Sequence, residues 1–262
     1  MDPGRRPPET GPCQTPAVRA LLVSDLHYDL RKLDWVLAEA DDVDLLAIAG
    51  DLLDVGSALP LDAQIAVVLE YLARMAARTT TVVCSGNHDL DHRTAEGEKA
   101  TAWIAEARAG GVVVDGDSAE VDGWLVTACP WWEGPHSLAR MEADLADAAE
   151  QRQGPWLWVY HGPPEGPLSW TGSRHFGDPE LPRLLDQHHP DIVLCGHIHQ
   201  APYVDGGAWF EQRADTWLFN SGFQTGPIPA HVLLDLSASR AEWWSLQGQG
   251  TIDLDLGDAQ AS

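Results

Sequence analysis

The sequence predicts a layered α/β fold over residues 17–247. From Ala17 onward, short apolar runs alternate with amphipathic stretches, the order expected of strand-helix-strand units. Composition agrees: 262 residues with 44% hydrophobic and 21% charged side chains suit a globular chain, and one large α/β domain accommodates that length. Each apolar run of the α/β core also ends in a polar cluster, which places reactive side chains on loops at one edge of a sheet.

Val18–Ser24 reads as the first strand. Leu30, Leu33, Leu37 and Ala40 recur at helical spacing and stop at Asp41-Asp42, after which Leu45–Gly50 is the second strand. Pro60 opens a second helix with Leu61, Ile65, Val68, Leu69, Leu72 and Met75 on one face, and the strand Thr81–Cys84 follows. A helix over Ala95–Ala109 runs into Gly110-Gly111 and the strand Val112–Val114, and Val121–Val126 carries a hairpin turn at Asp122-Gly123. Residues 137–152 form an acidic helix through Leu138, Met141, Leu145 and Ala149, and Trp156–Tyr160 a buried strand. The stretch Gly162–Gly177, rich in Gly and Pro, is long enough to be a functional loop. Helix Pro179–Gln187, strand Asp191–Cys195 and the late strands Trp217–Asn220, Ala230–Leu236 and Glu242–Leu246 complete the order. Residues 1–16, with five prolines, read as a disordered leader, and 248–262 as an acidic tail without assigned structure.

Charge narrows the partners. Sixteen Lys+Arg against 40 Asp+Glu give a net charge of −24, and the lysines are Lys32 and Lys99, so there is no basic stripe for a duplex nucleic acid. The same charge repels an anionic membrane surface, and no run approaches the ~20 apolar residues of a spanning helix. Cys13, Cys84, Cys129 and Cys195 are widely spaced, without a C-x-x-C pair, which is expected of buried thiols in a reducing cytoplasm.

The polar clusters are Asp25-Leu-His27, Gly50-Asp51, Gly86-Asn-His-Asp89, His161 and Gly196-His-Ile-His199. In open α/β sheets such loops converge on one crevice beyond the carboxyl ends of the strands. Imidazoles, carboxylates and an amide oxygen without thiolate suit borderline divalent cations. Asp51, preceded by a glycine that permits close backbone approach, has two oxygens with which to span a pair of ions.

These blocks resemble the calcineurin-like metallophosphoesterase family, whose motif order D-x-H, G-D, G-N-H-D/E, H, G-H-x-H is complete between residues 25 and 199. A four-residue word such as Gly-Asn-His-Asp arises by chance at about one position in 10⁵, and five blocks in order exclude accident. The resemblance implies a four-layer αββα sandwich of two mixed β-sheets, the metallophosphoesterase fold, to which strands before and after Asp117 would contribute one sheet each. It implies two divalent metal ions, Mn, Fe or Zn: Asp25, His27 and His199 on the first, Asn87, His161 and His197 on the second, and Asp51 between them. It further implies that His88 is the general acid, that Asp89 orients it by accepting from its other ring nitrogen, and that a hydroxide held between the metals attacks phosphorus in line.

Departures from subfamily patterns narrow the substrate. Phosphoprotein phosphatases show G-D-x-x-D-R-G and an arginine before G-N-H-E, whereas this chain has Gly50-Asp-Leu-Leu-Asp-Val-Gly56, Ser85 and Asp89. Purple acid phosphatases carry tyrosine where Asp54 stands. The expectation is a phosphoesterase of the cyclic-nucleotide-phosphodiesterase-like branch, acting on small phosphoesters and chiefly phosphodiesters. A phosphomonoesterase or nuclease of the same fold is the alternative, and a non-catalytic scaffold a further one. Trp131, Trp132 and Trp170 lie in loops on the substrate side, with Arg174 beside Trp170 as an auxiliary phosphate contact, whereas the remaining histidines are taken as surface or loop residues.

Overall fold

Strand β1 (Arg19–Val23) illustrates how the sequence builds layers: Ala20 and Leu22 point into one apolar cluster and Leu21 and Val23 into another, so both of its faces are covered. The computed structural model describes residues 18–256; the leader read over 1–16 and the last part of the tail, residues 257–262, lie outside them. After β1 come α1 (Leu30–Glu39), β2 (Leu45–Ala49), α2 (Leu61–Ala76) and β3 (Thr80–Cys84). A short hairpin of β4 (His92–Arg93) and β5 (Lys99–Ala100) precedes β6 (Val113–Val114). Next are β7 (Ser118–Val121), β8 (Trp124–Ala128), α3 (Pro135–Gln151), β9 (Trp156–Val159), α4 (Leu181–His188) and β10 (Ile192–Cys195). The chain ends through β11 (Phe210–Arg213), β12 (Thr216–Asn220), β13 (His231–Asp235), β14 (Arg240–Ser245) and β15 (Gly248–Asp253).

Two mixed sheets result. The first has the order β15-β14-β13-β1-β2-β3-β6, with β1, β2, β3 and β6 parallel and β13 to β15 antiparallel. The second has the order β11-β12-β10-β9-β8-β7, parallel from β8 to β12 and antiparallel at both edges. Ala20, Leu22, Val82, Val126, Leu157, Leu194, Phe219, Val232 and Trp243 pack between the sheets. Leu33, Val36, Val68 and Leu72 cover the outer face of the first sheet, and Met141, Leu145, Leu181 and Leu184 that of the second. This is the expected αββα order.

Four expectations need correction. Residues 95–109 are not one helix: Gly97 (φ 86°) turns the β4–β5 hairpin, and only Trp103–Gly110 coils, as a 3-10 turn. Glu98 is needed elsewhere, accepting hydrogen bonds from the His136 and Ser137 amides (2.9 and 2.8 Å) at the start of α3, whose cap residue Gly134 has no side chain to offer. Asp117 divides the sheets only once, because β13 to β15 return to the first sheet and pair onto β1. Of the tail assigned no structure, Gly248–Asp253 forms the edge strand β15. The hairpin at Asp122-Gly123 is present, both residues having positive φ (46° and 86°) as its tight turn requires. His231 is half-buried between Trp35 and Trp244 rather than on the surface.

Candidate metal centre

The parallel strands deliver the motif residues to one edge. Asp25 and His27 follow β1, Asp51 follows β2, Asn87 to Asp89 follow β3, His161 follows β9, and His197 and His199 follow β10. Asp25, His27 and His199 converge with one ligand atom each within 4.8 Å of the others, as do Asp51, His161 and His197. His199 Nε2 lies 3.1 Å from Asp25 Oδ1 and 3.2 Å from His27 Nε2. His161 Nε2 lies 3.3 Å from both Asp51 Oδ2 and Asn87 Oδ1. His88, with Nε2 4.0 Å from Asp51 Oδ2, stands with His27 and Asp51 in a third cluster.

Holding these side chains together requires an unusual backbone. Asp25, His27, Asp51 and His197 all have positive φ, between 44° and 68°, which costs each residue about 1 kcal/mol or more. Amides of Asp25, His27 and Tyr28 donate to the carbonyls of Gly50, Asp51 and Leu52 at 2.8–3.1 Å, so the β1 and β2 loops brace one another. Gly86 is required for a different reason: a Cβ there would collide with the Asp51 carboxylate and lie 2.6 Å from its amide nitrogen.

Asp89 braces the same loop and does not touch the His88 ring. Its carboxylate is fully buried and accepts from the amides of Asp51, Leu52, Leu53 and Gly86 at 2.8–3.0 Å. The expected Asp89–His88 hydrogen bond is therefore absent: four backbone donors occupy the carboxylate, and the buried Nδ1 of His88 has no partner among the described residues. Burial and the neighbouring Asp51 charge push the Asp89 carboxyl up to about 7, against the opposing pull of its amide donors.

Electrostatics couple the two halves. Burial alone would raise the Asp25 and Asp51 carboxyls, yet the His199 hydrogen bond for Asp25 and the His161 charge for both hold them below the ordinary range. His161 behaves inversely: despite burial, Asp51 and Asp25 raise it to about 9. His197 is pushed down to about 4 by burial and the adjacent His161, and burial also lowers His27.

The residues present fit divalent cations. His161 spends Nδ1 on the Ala49 carbonyl (2.7 Å), so its Nε2, facing two oxygen acceptors, either carries a proton or shares a cation with them. Two carboxylates, an amide oxygen and four imidazoles, with no thiol among them, form a nitrogen-oxygen donor set for borderline metals.

Of the loop aromatics, Trp131 meets the cluster, its ring 5.5 Å from that of His161 and 5.2 Å from that of His197. Trp132 donates to Asp178, Trp170 donates to the Asp205 carbonyl, and Arg174 lies 4.1 Å over the Phe176 ring, so these three are engaged elsewhere. Two neighbours escaped the sequence reading. Phe223 stacks on His199 at 4.7 Å, and the Lys32 ammonium sits 3.8 Å from the Phe223 ring centre, on a side chain 2% exposed. Phe223 follows the carboxyl end of β12, the same positional signal that identified the ligands, whereas Lys32 left no local signal.

Comparison with known proteins bears on the family and the fold. The family described as Calcineurin-like phosphoesterase matches residues 18–201. No curated protein matches the chain. Among solved structures, TT1561 of Thermus thermophilus is similar with 18% identity and a TM-score of 0.58, covering 90% of this chain and 99% of that one. Yfce, a phosphoesterase from E. coli, shares 16% identity over 90% of this chain and 100% of its own, with a TM-score of 0.46. Since the family match runs from the first described residue through the loop of His199 and takes in all five motif loops, the chain belongs to the calcineurin-like metallophosphoesterases.

Proposed function

We propose that this protein hydrolyses small phosphoesters, phosphodiesters in particular, at a two-metal centre. The observation that carries the reading is the pair of Asp/His clusters, Asp25-His27-His199 and Asp51-His161-His197, linked by a third grouping of His27, Asp51 and His88 that takes one residue from each. In this reading Asp25, His27 and His199 hold one divalent cation and Asn87, His161 and His197 the other, with Asp51 shared. Such cations, when bound, supply a water deprotonated near neutral pH and offset the charge of the phosphoryl oxygens. The His88 side chain is 31% exposed, with Nε2 4.0 Å from Asp51 Oδ2, and in this reading it passes a proton to the leaving oxygen. Buried free thiols at Cys84, Cys129 and Cys195 suit the cytoplasmic location that is part of this reading.

The test is elemental analysis of Mn²⁺-reconstituted protein together with turnover of bis(4-nitrophenyl) phosphate. Two ions per chain and metal-dependent hydrolysis are expected, with Asp51→Asn losing most of both. His88→Ala is expected to keep the metal while slowing hydrolysis about 10²- to 10⁴-fold for a poor leaving group. One ion or none in the wild type overturns the dinuclear assignment.

A further inference from the structure

We propose that Trp131 is a specificity residue: a fixed aromatic wall beside the His161/His197 half of the crevice, selecting phosphoesters that carry a planar ring, such as a nucleobase. The inference rests on the reading of the crevice as a phosphoesterase site, and adds what lies beyond the phosphorus.

The wall is built, not incidental. Trp131 lies just beyond β8, and its amide donates to Ser85 Oγ at 3.0 Å. Ser85 in turn donates its amide to Asp115 at 2.8 Å, and its hydroxyl hydrogen-bonds to that same buried carboxylate. Ser85 immediately precedes Gly86 and Asn87, so the loop that presents Asn87 and His88 also fixes the backbone of Trp131. At the other end the indole Nε1 donates to Glu133 Oε1 at 2.9 Å. With that N–H engaged, the ring offers π surface and no donor. It is half-buried, packed at 71° to His161 and 50° to His197, which leaves part of the indole open to a ligand.

The choice of partner follows from chemistry. A ligand phosphate drawn to cations held by the Asp/His clusters would bring its ester group against the flat, apolar face of the indole. Stacking satisfies that surface and hydrogen bonding cannot. The position before Gly-Asn-His-Asp, where phosphoprotein phosphatases carry arginine, here holds a serine that supports an indole.

The experiment compares adenosine 5′-monophosphate with ribose 5-phosphate, which differ by the base alone, by calorimetric titration into the Mn²⁺-reconstituted full chain. The wild type is expected to bind the nucleotide about 10-fold more tightly or better, the worth of one stacked base. In Trp131→Ala the ratio falls to about one, and in Trp131→Phe a clear preference survives. Metal content and thermal midpoint of each variant separate loss of the wall from loss of the fold, and the phenylalanine variant reads the wall even where the alanine variant folds poorly. Equal affinities in the wild type, or a ratio unchanged in Trp131→Ala, overturn the proposal. Failure of the wild type to hydrolyse bis(4-nitrophenyl) phosphate overturns the phosphoesterase reading instead, and the two failures are read in separate measurements.

Discussion

The proton on His161 marks how the chain manages its site before a cation arrives. With a pKa raised to about 9 by Asp51 and Asp25, this imidazole is charged at neutral pH in the metal-free protein. An imidazole must be neutral to ligate a metal, so cation binding expels that proton. Apparent affinity for Mn²⁺ is therefore expected to rise about tenfold per pH unit up to about pH 9. Titration at pH 7.5 in buffers of different ionisation enthalpy should register about one proton released per chain from this residue; no release would mean that His161 is already neutral. Lys32 makes the opposite case. Burial lowers its pKa from 10.5 to about 8, so between those values the unfolded chain holds more proton than the folded one and stability rises with pH. Below pH 8 the folded protein carries the full cost of the buried ammonium, offset in part by the Phe223 ring. Lys32→Met is expected to raise the thermal midpoint by about 2–4 °C at pH 7, with the gain shrinking above pH 8. A lower midpoint at pH 7 would assign the ammonium a stabilising role.

At the scale of elements, the site depends on neighbouring loops tied by one carboxylate. Asp89 closes the β2 and β3 loops by accepting from four amides, three of them on the segment that carries Asp51. Asp89→Asn puts an amide NH₂ against backbone N–H donors and orphans at least one of them, at a cost of about 2–4 kcal/mol. Urea unfolding should show that loss, and Mn²⁺ stoichiometry should fall although no ligand was changed. Retained metal with lost activity would instead return Asp89 to the role of orienting His88. The motif residues were legible because their spacing at strand ends is a local property: each loop carries its own short signal. The role of Asp89 was not, because Asp51 and Asp89 meet only after β2 and β3 pair. The same limit explains the lost helix over 95–109. The composition there is helical, but Glu98 caps α3 thirty-eight residues away, and a tertiary demand of that kind leaves no trace in local periodicity.

At the scale of the whole molecule, charge and crevice act together. A net charge of −24 opposes approach of any polyanion, while cations in the crevice act on a small ligand inside the Debye length of about 8 Å. Specificity constants at physiological salt are expected to favour bis(4-nitrophenyl) phosphate and cyclic nucleotides over duplex DNA and phosphopeptides. Efficient cleavage of either macromolecule without activity on the small esters contradicts the small-substrate reading. The four layers were implied by the family resemblance that the motif order carries. What stayed hidden was which strands share a sheet, since the return of β13 to β1 joins segments more than two hundred residues apart and no local pattern announces a partner so remote.

That return strand also sets the order in which the protein can be completed during synthesis. Residues 19–84 supply a β-α-β-α-β unit closed by short-range contacts, and it can assemble as soon as it leaves the ribosome. The apolar edge of β1 has to wait, for its partner Val232 and the residues around it emerge after the last metal-cluster residue, His199. Throughout that interval a nascent chain carries Arg19–Val23 paired to β2 on one side only, its β13-facing edge not yet hydrogen-bonded. Crowded polysomes bring such edges together, and pairing between neighbouring chains then competes with the arrival of β13. The interval between synthesis of His199 and of Val232 is thus the stretch in which that competition is decided.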